Sequence, residues 1–188
     1  MRILFVRHGE SEANVQRVFS NRGWKHPLTV MGREQVRALA KKLHDRGVVA
    51  IYTSPVRRAV ESAEILKERL GVPYKIEPAL AEYDVGVYED RPHAEGEECY
   101  SDVARQWVAG ELDARMPGGE SCTEIRARFV PFIRRLIEKY EAQPQATVVL
   151  VGHGGTYRHA LPAVLDNVSC EFAIQNGLGN AMYVEAQA

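Results

Sequence analysis

Strand-length apolar runs alternate with helical patterns along this chain, and each run ends abruptly in polar or glycine residues. The runs are RILFV at 2–6, VVAIYTS at 48–54, YKIEP at 74–78 and ATVVLVG at 146–152. A continuous apolar run of this length predicts a strand buried on both faces. Between them, Val36, Leu39, Ala40 and Leu43 share one helical face, with Thr29 as N-cap and Gly47 as stop. SPVRRAVESAEILKERLG at 54–71 reads as a helix with Ser54 as cap, Pro55 in its first turn and Gly71 at its end. A capping box, Ser121 with Glu124, opens a third long helix carrying Ile125, Phe129, Phe132, Ile133, Leu136 and Tyr140 on one stripe. Pro131 inside it predicts a bend or a break. The stretch 84–101 is acidic and reads as irregular, with a short helix at about 101–110 and another from Thr156 to Leu165. CEFAI at 170–174 and AMYVEA at 181–186 read as closing strands. The order predicts an α/β fold: one domain over 1–188, a mostly parallel sheet with helices on both faces, a three-layer α/β/α sandwich.

In such sheets ligands bind beyond the carboxyl ends of the strands. Arg7, His8 and Gly9 follow the first run; Ser54, Arg57 and Arg58 follow the second. Glu82 and Asp84 follow the third, and Gly152, His153, Gly154 and Gly155 follow the fourth. Two histidines, several arginines and carboxylates therefore gather on one rim. A guanidinium matches a phosphate by bidentate hydrogen bonds and keeps its charge. Neighbouring arginines disfavour the imidazolium, which keeps His8 nucleophilic. Gly9 permits close backbone approach, and the glycines after His153 leave backbone N–H groups free to face an anion.

Lys plus Arg is 24 against 25 Asp plus Glu, so no global charge draws the chain to nucleic acid or an anionic membrane. No apolar run reaches the ~20 residues of a membrane span. Three scattered cysteines, Cys99, Cys122 and Cys170, make no disulfide framework. With no signal-like segment at the start, the expectation is a cytoplasmic protein. The sequence leaves its oligomeric state open. His26, His44 and His93 read as surface residues. Trp24 and Tyr88 read equally as pocket mouth or as core.

RHGESEAN at 7–14, SPVRRA at 54–59, ALAEYDVGVYE at 79–89, PGGES at 117–121 and GHGG at 152–155 occur in an order that resembles the histidine phosphatase superfamily, which includes the cofactor-dependent phosphoglycerate mutases. The resemblance implies a phosphoglycerate mutase-like fold and a phosphatase that acts on a small phosphorylated substrate and needs no metal or cofactor. It implies that His8 accepts the phosphoryl group, that Arg7, Arg58 and a protonated His153 hold its oxygens, that Asn14 and Gly154 add phosphate contacts, and that Glu82 is the general acid. Phosphomutase activity, or phospho-ligand binding without turnover, are the alternative readings. The acidic loop at 89–98, if it faces the site, argues against a second phosphate there.

Overall fold

The computed structural model describes residues 1–188. Five strands, β1 (Arg2–Arg7), β2 (Val48–Thr53), β3 (Tyr74–Ile76), β4 (Thr147–Gly152) and β5 (Tyr183–Gln187), form one sheet in the order β3-β2-β4-β1-β5. All neighbours are parallel except β5, which runs antiparallel to β1. Seven helices accompany them: α1 (Glu12–Gln16), α2 (Val30–Leu43), α3 (Arg57–Leu70), α4 (His93–Val108), α5 (Cys122–Tyr140), α6 (Gly154–Ala160) and α7 (Cys170–Gln175).

The strand period of two sorts the core into two layers. Ile3 and Phe5 of β1, with Val148 and Leu150 of β4, pack on Phe129, Phe132 and Ile133 of α5. Leu4, Val6, Val149 and Val151 face the other way, onto Val36 and Leu39 of α2 and Ala59 and Leu66 of α3. Nearly all of these side chains are fully shielded from water. At ~1.5–3 kcal/mol for each large apolar side chain buried, these two layers dominate the stability of the sheet.

Several expectations require correction. CEFAI is helix α7, not a strand: the Ser169 hydroxyl accepts from Phe172 N at 3.1 Å and starts a helical turn. The acidic stretch is not irregular throughout, because α4 begins at His93. It buries Gly96, Val103, Ala104 and Trp107 and leaves Glu95, Glu97 and Glu98 in solvent. α5 runs unbroken through Pro131, whose ring lies on the exposed face, so the carbonyl it deprives of a partner is open to water. α3 starts at Arg57 rather than at Pro55, which releases Ser54 from capping the helix. α6 starts at Gly154 and gives way at Leu161 to a 3-10 turn containing Pro162, which has no N–H to continue it. Thr29 and Gly71 end their helices as expected: Thr29 Oγ1 accepts from Gly32 N at 2.9 Å, and Gly71 adopts φ 70°.

Candidate active site

The parallel register sets the site. Arg7 pairs with Gly152 and Thr53 with Val151, so the residues just past β1, β2 and β4 emerge side by side. His8 N donates to Gly152 O at 3.0 Å, and Ser54 N to Val151 O at 2.9 Å. The rings of His8 and His153 are thereby brought to 5.2 Å between centroids. Gly9 does permit close approach, but to protein rather than to a ligand. A Cβ there would lie 2.4 Å from the carbonyl oxygen of Gly32 in α2.

Arg58, in the first turn of α3, bridges the two histidines. Its Nε donates to His8 Nε2 at 2.9 Å, and its Nη2 to His153 Nδ1 at 3.1 Å. Nη1 donates to Ser20 O at 2.5 Å. A guanidinium only donates, so both ring nitrogens it meets are acceptors. His8 Nδ1 then carries the proton and donates to Gly9 O at 2.6 Å. His153 Nε2 carries its ring's proton and donates to Ser54 Oγ at 2.7 Å. Both tautomers follow from the partners.

His8, Arg58 and His153 are 2%, 4% and 0% exposed. Burial, then the positive charges of Arg58 and Arg7, hold the His8 imidazole well below the ordinary histidine range. Burial, Arg58, His8, Arg7 and Arg128 do the same to His153. With one nitrogen of each ring accepting from Arg58, these shifts keep both rings neutral here. Burial lowers Arg58 to about 10, which still leaves it cationic at neutral pH.

Glu82 sits at the start of α6. Its carboxyl oxygens accept from Thr156 N at 2.7 Å and Gly155 N at 3.2 Å, and lie 3.0 Å from the Thr156 hydroxyl. Gly155 must lack a side chain, since a Cβ would come within 2.7 Å of Glu82 Oε1 and closer still to the Tyr83 ring. Asn14 Oδ1 accepts from Ser11 N, Ser11 Oγ and Asn180 Nδ2 at 3.1–3.2 Å, which leaves its amide N–H groups as the free end. Arg7 Nη1 donates to Leu178 O at 2.7 Å, while its buried Nε has no acceptor.

One cavity of about 300 Å³ collects Arg7, His8, Asn14, Arg58, Glu82 and Gly154; His153 lies behind it, against Arg58. The structure thus brings together Arg7, His8, Arg58, Glu82, His153 and Gly154 of the rim, with Asn14, but turns two rim residues elsewhere: Arg57 pairs with Glu61 and Asp84 with Arg22, each at 2.8 Å. It adds Arg17, Arg158 and His93 to the cavity wall, three residues that no sequence motif marks for it. His93 is half-buried against the Phe19 ring, at 4.6 Å between centroids. Arg158 carried a usable signal: it lies four residues after Gly154 and so on the same helical face. Of the acidic residues at 89–98, only Glu97 reaches the cavity. Trp24 is 59% exposed on a different cavity, and Tyr88 packs beside Phe19.

None of Arg7, Arg17, Arg58 and Arg158 has a carboxylate oxygen within 4.0 Å, although ten ion pairs are made elsewhere in the chain. Arg58 is buried and Arg7 and Arg158 are half-buried, where an unpaired cation is costly; Arg17 is exposed. A bound anion removes that cost, and a phosphoryl group has the charge and the oxygens to do it.

The family profile "Histidine phosphatase superfamily (branch 1)" matches residues 3–187. The chain belongs to the histidine phosphatase superfamily. This histidine phosphatase is 30% identical over 190 residues to the glucosyl-3-phosphoglycerate phosphatase of Mycolicibacterium vanbaalenii, covering 98% of this chain and 83% of that one. It is 31% identical over 155 residues to the "Probable phosphoglycerate mutase GpmB" of Escherichia fergusonii, covering 82% and 70%. Among solved structures, a mycobacterial glucosyl-3-phosphoglycerate phosphatase in complex with VO3 superposes with a TM-score of 0.83 at 29% identity, covering 98% of this chain and 91% of that one. No helix of this histidine phosphatase is long and apolar enough to cross a membrane.

Proposed function

We propose that this histidine phosphatase hydrolyses small phosphorylated metabolites through a phosphohistidine formed on His8. The observation that carries the reading is the state of that ring. Its Nδ1–H is tied to Gly9 O, and its Nε2 lone pair points at a guanidinium that has no carboxylate. A phosphoryl group entering beside Arg58 meets a nucleophile already neutral, and the Arg58 Nε–H, turning from His8 Nε2 to the phosphoryl oxygens, frees the lone pair for attack.

In the first step the His8 Nε2 lone pair forms a bond to phosphorus, and the ester P–O bond breaks in line with it. The ring becomes cationic, and its Nδ1–H bond to Gly9 O holds it in place. Arg7 and Arg58 face the charge that spreads over the equatorial oxygens. The Asn14 amide and Gly154 N–H add neutral donors. The incoming dianion opposes the cations that keep His153 neutral, and so favours its protonation toward the phosphoryl oxygens. Glu82, in its acid form, gives its proton to the departing alkoxide. In the second step water attacks phosphorus, the Glu82 carboxylate accepts a proton from it, and the P–N bond breaks to release phosphate. His8 returns to its starting tautomer. Division into two displacements is the gain of covalent catalysis.

Phosphate release from p-nitrophenyl phosphate and a panel of metabolite phosphates tests the reading. His8→Ala should bring release below detection in a folded protein. Full activity in that variant would end the proposal. Interconversion of phosphoglycerates without free phosphate would instead identify a mutase.

A further inference from the structure

The turn that leads into β5 grips the groups that do the chemistry. Leu178 O accepts from Arg7 Nη1 at 2.7 Å, and Met182 O from Arg7 N at 3.0 Å. Ala181 N is shared between Arg7 O and His8 O, at 3.1 Å to each. Asn180 Nδ2 spans His8 O and Asn14 Oδ1, at 3.2 Å to each. Both of those partners are acceptors, so the amino end of the Asn180 amide is the end that faces them.

The backbone here runs against local preference. Met182 N donates to Gly179 O at 3.2 Å, which makes Asn180 and Ala181 the central residues of the turn. Ala181 has φ 53°, a left-handed conformation that Gly or Asn adopts at little cost and Ala does not. The sequence holds both favoured types, as Gly179 and Asn180, yet neither stands at 181. For the turn alone, Asn sits one position early. At 180 its side chain meets His8 and Asn14 instead. Strain of this kind persists where surrounding bonds over-determine the backbone. They do so here, since every residue of 178–182 except Gly179 holds Arg7, His8 or Asn14.

Asn14 is the link to the chemistry. It lies in α1, a five-residue helix that buries only Ala13. Its Oδ1 also accepts from Ser11 N and Ser11 Oγ, but Ser11 is the N-cap of the same helix. Those bonds fix the amide relative to α1, not relative to the nucleophile. Asn180 supplies that tie, because one amino group joins the Asn14 oxygen to the His8 peptide. With its oxygen so held, Asn14 offers its N–H groups to the cavity it lines with Arg7 and His8. His8 O keeps Ala181 N as a second donor, so the loss of Asn180 falls chiefly on Asn14.

We propose that Asn180 is a positioning residue: it registers the Asn14 amide against His8, so that phosphate donor and nucleophile meet the same phosphoryl group. Asn180 itself does not line the cavity. This role rests on the phosphatase reading above and adds a residue to it.

A double-mutant cycle on kcat/KM for p-nitrophenyl phosphate tests the role. Asn180→Ala should lose about tenfold, the factor one hydrogen bond to a working group carries. In an Asn14→Ala background the same substitution should lose about twofold or less, because the group it orients is gone. A residue that served only the stability of the turn would lose the same factor in both backgrounds. Asn180→Asp keeps the shape and sets an oxygen against two oxygens, so its loss should exceed that of Asn180→Ala. Equal losses in the two backgrounds, an Asn180→Ala variant within about twofold of the wild type, or an Asn180→Asp variant as active as Asn180→Ala would each overturn the proposal. So would wild-type activity in Asn14→Ala, which would leave Asn180 nothing to position. Absence of phosphate release by the wild type would instead overturn the phosphatase reading, and this inference with it.

Discussion

Glu82 and Asn21 stand between two cavities that treat arginine in opposite ways. In the larger, of about 690 Å³, Arg22 holds Asp84 at 2.8 Å, Arg115 holds Glu124 at 3.0 Å and Arg128 holds Glu120 at 2.8 Å. In the smaller, of about 300 Å³, Arg7, Arg17, Arg58 and Arg158 hold no carboxylate, and Arg7 and Arg158 each bury an Nε without a partner. Size alone points to the larger space; chemistry points to the smaller. A paired arginine has had its charge answered within the chain. An unpaired buried one keeps its affinity for an anion from outside. The nucleophilic ring opens on the unpaired side, and Glu82 reaches it from the boundary.

The contrast breaks most easily at its two arginines. Arg58→Met should lower kcat/KM by about 10²–10³, because it removes a preorganised donor to the transferring group. Arg115→Met, on the exposed pair of the other cavity, should leave kcat/KM within about twofold. Comparable losses in both would erase the distinction. Glu82→Gln comes next. Release from alkyl phosphates should fall about 10²-fold. Release from p-nitrophenyl phosphate should fall much less, since a phenolate leaves without a proton. An equal fall for both would remove Glu82 from the role of acid.

Anion binding gives a smaller but cleaner reading. Inorganic phosphate at ~100 Kd should stabilise the wild type by about 2.7 kcal/mol, or ~5–10 °C in Tm. Arg58→Met should lose most of that shift, and Arg115→Met should keep it.

A further effect is in pH. His8, His153 and His159 all have folded-state values below the unfolded value near 6.5. The native state therefore binds fewer protons than the unfolded chain at acidic pH. Stability is fully present above pH ~6.5 and falls as pH drops below it, for His159 down to about 3. A thermal melt series should show Tm declining from pH 7 to pH 5. Phosphate should flatten the decline, because its charge opposes the cations that depress His8 and His153.

The sequence carried much of this because the chemistry sits where strands end. Arg7 and His8 close an apolar run, His153 closes another, and Arg58 follows a third, so the parallel register had only to align them. Helix caps at Thr29 and Gly71 were legible for the same local reason. What failed was local ambiguity. CEFAI is too short to separate a strand from a helical turn by period, and the deciding signal was the Ser169 cap three residues before Phe172. The acidic residues of α4 concealed its apolar face, which becomes readable only from Gly96 to Trp107 taken together. Arg158 was missed because one arginine on a short helix looks like a solvated charge; only packing reveals that its Nε is shut away from water. Ser54 reads as a helix cap in the sequence, and its contact to His153 depends on α3 starting two residues later than Pro55.

The most direct measurement is chemical trapping of the intermediate. The enzyme is quenched into alkaline denaturant during turnover of p-nitrophenyl phosphate, digested, and mapped by mass spectrometry. A phosphoryl group on His8, stable in alkali and lost in acid, is the predicted result. Turnover with no adduct at His8, or with the adduct on another residue, would contradict the account.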